Sequence, residues 1–109
     1  MEITSIDEIA CDIFGITLAQ LDDKSQKKEV TDCRFAIYYF RNKELNMRMS
    51  TISRMYGYTN PAVRYGVNQF DKWLIENAII KRLYSKFKME AKKVASKNIK
   101  EKGYKFRTL

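Results

Sequence analysis

The sequence predicts an all-α fold of five to six helices, and three observations carry that expectation. Apolar residues recur at three- and four-residue spacing along most of the chain. The 109 residues include only four Gly and one Pro, too few for the many turns of a β-rich protein. Hydrophobic residues make up 45% of the chain, enough to build a core and to argue against disorder throughout. One domain is expected over residues 1–97, followed by a basic, flexible tail at 98–109.

Ser5 followed three residues later by Glu8 is a capping box, which starts a first helix at Ile6. Ile6, Ile9, Ala10, Ile13 and Phe14 form its apolar stripe, and Gly15 ends it. Thr17 with Gln20 is a second capping box, opening a short helix with Leu18 and Leu21 inward. The linker "DDKSQKKEV" then switches from acidic to basic. A third helix runs from Glu29 to about Glu44, with Val30, Cys33, Ile37 and Phe40 in register and Ala36, Tyr38 and Tyr39 widening the stripe. A stripe that broad needs several packing partners, so this helix should be central.

After the break at "NMRMS", Ser50 is expected to cap a helix over Thr51–Tyr56, with Ile52, Met55 and Tyr56 inward. Gly57 suits the left-handed residue that follows a helix end. Asn60 is the expected N-cap of the next helix and Pro61 its first residue, since proline disfavours helical geometry at the position before it. That helix runs to about Ile75, with Val63, Val67, Phe70 and Leu74 inward and Arg64, Tyr65, Asn68, Asp71 and Lys72 outward. Tyr65 and Trp73 read as packing residues rather than base-stacking ones. A last helix spans about Asn77 to Lys97, with the stripe Ile80, Leu83, Tyr84, Phe87, Ala91 and Val94. The stripe either docks on the domain or pairs with a second copy, making a dimer.

Function classes narrow by composition. The chain has no histidine, which removes the commonest general base and any Ser–His or Cys–His nucleophile. Cys11 and Cys33 both lie in apolar-periodic segments and read as buried free thiols rather than zinc ligands. No Gly-rich phosphate loop is present. A non-enzymatic protein without metal, cofactor or small-molecule substrate is expected. No apolar run approaches the roughly 18 residues of a membrane span, and "MEITSIDEIACDIFG" lacks the Lys or Arg of a secretory signal, so a cytoplasmic protein is expected.

The formal net charge is +8 and unevenly distributed. Residues 1–23 hold six acids and no base, whereas residues 81–109 hold eleven bases and two acids. Such a gradient can orient a molecule on a polyanion. Two helices joined by a tight Gly-containing turn, the second with a polar outer face, fit a DNA-reading helix-turn-helix, although such pairs also occur without DNA. Arg64 and Asn68 lie one turn apart on that face, where arginine can bond guanine and asparagine adenine. Arg48 and Arg54 flank the preceding helix as backbone clamps.

The run "IDEIACDIFGITLAQLDDKSQKKEVTDCRFAIYYF" resembles the C-terminal DNA-binding domain of the bacterial replication initiator DnaA, a Trp-repressor-like helical fold. "MSTISRMYG" and "AVRYGV" resemble the two helices of that family's helix-turn-helix, and the similarity spans roughly Ile6 to Leu83. The resemblance implies duplex DNA as partner, with Arg34 in the minor groove and Lys24, Lys27 and Lys28 on phosphates. It implies base contacts near Thr59, Asn60 and Ala62. The family's signature arginine, aspartate and histidine are here Thr59, Asn60 and Pro61, so the chemistry of those contacts differs. The alternative is a protein-interaction module that kept the fold and lost base reading. Self-association through the last helix belongs to either.

Overall fold

The computed structural model describes residues 5–23 and 25–102, with side chains over 6–23 and 25–95. These residues form six helices and no strand: α1 (Ser5–Phe14), α2 (Leu18–Asp22), α3 (Lys28–Lys43), α4 (Met49–Tyr56), α5 (Asn60–Glu76) and α6 (Ala78–Lys102). The broad stripe of α3 has the consequence expected of it. Val30, Cys33, Ala36, Ile37, Tyr38 and Phe40 are all buried, and each of the other five helices packs against α3.

Local chemistry sets most of the boundaries. Gly15 takes a left-handed φ of 72°, and Ile16 N–H folds back onto the Cys11 carbonyl. The Thr17–Gln20 capping box is complete: Thr17 Oγ1 accepts from Gln20 N at 3.0 Å, and Thr17 N donates to Gln20 Oε1 at 2.9 Å. Cys11 and Cys33 are both free and buried. The hydrogen bond between the two thiols, reinforced by burial, pushes the Cys33 thiol well above its ordinary range.

Two caps differ from expectation. The N-cap of α4 is Arg48, which makes no side-chain cap bond, and Ser50 lies inside the first turn. The N-cap of α5 is Thr59, not Asn60. Thr59 is extended (φ −82°, ψ 159°), and its Oγ1 accepts from Ala62 N at 3.2 Å. Asn60 is drawn into the helix because Ser53 Oγ on α4 donates to its Oδ1 at 2.6 Å, which removes that oxygen from capping. Pro61 still falls in the first turn, where its missing N–H leaves no bond unmade.

A single residue, Asn77, joins α5 to α6. Its Oδ1 caps α6 by accepting from Ile79 N (3.0 Å) and Ile80 N (3.1 Å). The α6 stripe docks on its own domain: Ile80, Tyr84, Phe87 and Ala91 are buried, and α6 packs on α1, α3 and α5. Burial of a side chain such as Phe87 contributes about 1.5–3 kcal/mol, so this stripe has its partner within the chain. Glu44 at the end of α3 pins α6 by accepting from Lys88 (3.1 Å) and Lys92 (3.2 Å). The helix continues to Lys102, into the segment 98–109 expected as a basic tail, of which 103–109 lie outside the described residues.

Two buried features were not foreseen. Asp7 is fully buried and accepts from the Tyr56 hydroxyl at 2.6 Å, which itself accepts from Arg41 Nε at 2.8 Å. This chain of bonds ties α1, α4 and α3. Gly66, in the middle of α5, faces α3 so closely that a Cβ there would lie 2.8 Å from Phe35 Cδ1 and 3.1 Å from the Tyr38 ring. A mid-helix glycine costs roughly 0.5–1 kcal/mol relative to alanine, and the close approach of the two helices offsets it.

Candidate nucleic-acid interface

The corner between α4 and α5 is held at three points. Gly57 adopts φ 72°, ψ 33°, the left-handed geometry that turns the chain out of α4. Tyr58 N donates to the Ser53 carbonyl at 3.0 Å, which closes the last turn. The Ser53–Asn60 bond then bridges the two helices directly. The corner therefore presents α5 at a fixed angle, with Val63, Val67 and Phe70 buried and Arg64, Tyr65, Asn68 and Lys72 in solvent.

Arg64 and Asn68 sit exposed one turn apart. Asp71, a possible partner for Arg64, is instead engaged by α3, accepting from the Tyr39 hydroxyl at 3.0 Å. The Thr59 hydroxyl oxygen serves the α5 cap, the Asn60 Oδ1 serves Ser53, and Ala62 is half-buried. Of the three positions nearest the expected base contacts, Thr59 and Asn60 are exposed.

Arg34, expected from the resemblance to enter a minor groove, is buried in this structure, at 5% exposure. Its Nη1 donates to the Ser25 carbonyl at 3.2 Å, and its guanidinium lies over the Tyr58 ring, 5.1 Å from the centroid. Arg34 thus joins the loop before α3 to the turn before α5. The signal for this was in the spacing: Val30, Arg34 and Tyr38 share one row at i, i+4, and both neighbours are buried.

That clamp brings the expected phosphate-contacting loop beside the expected reading turn. Lys27 and Lys28 are exposed at the start of α3, with Lys28 paired to Asp32 at 2.8 Å. Lys24 lies outside the described residues. Arg48 and Arg54 are both exposed on or beside α4.

The aromatic residues on this flank divide. Trp73 is half-buried and stacks on Phe35 (centroids 5.6 Å apart, planes at 22°), as a packing residue would. Tyr65 is 59% exposed and meets Phe35 only edge to face, at 6.1 Å and 82°. Of the two rings expected to pack, Trp73 is thus the more enclosed and Tyr65 the more exposed. No protein-family model matches the chain, and no curated protein matches it.

Proposed function

We propose that this chain is a non-enzymatic duplex DNA-binding protein whose α4–α5 pair acts as a helix-turn-helix of the DnaA C-terminal type. The observation that carries this reading is the locked corner. Gly57, the Thr59 cap and the Ser53–Asn60 bond fix α5 in place while leaving Arg64, Asn68 and Lys72 in solvent. A net charge of +8 supplies the long-range attraction to phosphate. In this reading Arg64, Asn68 and the Asn60 amide approach base edges, and Lys27, Lys28, Arg48 and Arg54 approach phosphates. Arg34 acts from beneath, holding the loop and the turn in one arrangement. Titrating binding of a random-sequence duplex pool against salt tests it. Affinity should fall by about 0.9 log units per phosphate contact for each tenfold rise in salt. Selection from the same pool should recover a preferred site that Arg64→Ala relaxes. Absence of duplex binding at low salt would overturn the reading.

One observation favours a protein-interaction module instead. Ile75 and Ile79 stand 84% and 67% exposed on either side of the Asn77 joint, an apolar pair that folding does not use. If Ile75→Ser with Ile79→Ser leaves duplex binding intact, the pair is not part of the DNA interface. If Arg64→Ala has no effect on duplex affinity or site preference, α5 is not the reader.

A further inference from the structure

We propose that Tyr65, backed by Phe35 and Trp73, is a stacking platform for the unpaired bases of a single-stranded nucleic acid. The inference does not require the duplex reading, although it draws on the same face of α5, Arg64, Asn68 and Lys72 included. Three rings from two helices form one ridge: Tyr65 edge-on to Phe35 at 6.1 Å, and Phe35 stacked on Trp73 at 5.6 Å. Tyr65 contributes little to the core, since more than half of its surface is in water. It is nevertheless preorganised. Phe35 is seated against Gly66, and Trp73 is braced by the edge of Phe70 at 6.2 Å, so the surface under a base need not rearrange.

The polar surroundings suit a base with its phosphate. Asn68 and Gln69 lie between the two α5 rings in sequence and carry both donors and acceptors for base edges. Arg64 precedes Tyr65 and Lys72 precedes Trp73, both exposed. The acids beside the ridge are engaged: Asp32 by Lys28, and Asp71 by Tyr39. Glu76, exposed one turn beyond Trp73, marks the end where phosphate is repelled. The occupant is single-stranded because a base inside a duplex has both faces covered by its neighbours, whereas stacking on a side chain needs a free face.

The test measures the affinity of the full chain for an oligothymidylate of about a dozen nucleotides and for an abasic strand of equal length and charge. Wild-type protein should bind the thymidylate at least about fivefold more tightly than the abasic strand. Tyr65→Ala, an exposed helical substitution that leaves the core untouched, should erase that preference, and Tyr65→Phe should keep it. Equal affinity for the two strands, or a preference unchanged in Tyr65→Ala, would overturn the proposal. An oligodeoxyuridylate and an oligouridylate of the same length, which share one base, assign the source: equal binding means that either backbone serves, and unequal binding selects DNA or RNA. A matched duplex that depends equally on Tyr65 would also overturn it, because its bases offer no free face.

Discussion

A guanidinium at 5% exposure is costly to bury, and Arg34 offsets part of that cost with one carbonyl and one aromatic face, its Nη2 having no hydrogen-bond partner among the described residues. Arg34→Ala leaves the Ser25 carbonyl without its donor and Tyr58 without its cover. The expected loss is about 1–3 kcal/mol of folding stability, read from urea unfolding. A groove-contacting arginine would behave oppositely, lowering duplex affinity with stability unchanged. Gly66 is the second sensitive position. A methyl group 2.8 Å from a Phe35 ring already stacked on Trp73 must displace that ring or push α3 and α5 apart. Gly66→Ala should therefore destabilise by about 1–3 kcal/mol despite alanine's better helix propensity. Tyr38 is the converse case. Its hydroxyl is buried with no hydrogen-bond partner among the described residues, so Tyr38→Phe should be neutral or stabilising near pH 7.

Helix ends were the most legible elements in the sequence. The Thr17–Gln20 box and Gly57 are local devices, complete within a few residues, and both stand where their chemistry requires. The α5 start was misplaced by one residue because Asn60 answers to Ser53, seven positions away on another helix, and spacing alone does not reveal that partner. The same limit hid the Asp7–Tyr56–Arg41 chain, whose members come from three helices. At the candidate site, the outward face of α5 was legible from periodicity. That face includes Tyr65, but the burial of Arg34 was not legible, since it depends on where α3 meets the turn before α5. Thr59→Ala tests the revised cap: it should cost about 0.5–2 kcal/mol, measured by thermal or urea unfolding. Gly57→Ala forces a Cβ into the left-handed region and should cost about 1–2 kcal/mol.

At the scale of the whole molecule, the acidic first helix packs beside the basic last one. Among the described residues, the acids of α1 and the bases of α6 thus lie on neighbouring helices. The buried phenols give the fold a pH signature. Burial pushes Tyr38 and Tyr56 above the ordinary phenol range, against the opposing pull of Arg34 on the first and Arg41 on the second. The folded state therefore keeps these protons after the unfolded chain has released them. Stability is fully present below about pH 10 and falls as pH rises beyond it, by about 1.4 kcal/mol per pH unit for each phenol. Urea midpoints measured across that range should show the decline, and Tyr38→Phe should flatten it.

The Asn77 joint sets how this molecule meets any partner of α5. One residue between two helices leaves no slack, and α6 is seated on α1 and α3. A tilt of α5 must therefore strain the whole assembly or not occur. Association should then be rigid-body docking, with a heat-capacity change that matches the contact area alone and no contribution from coupled folding.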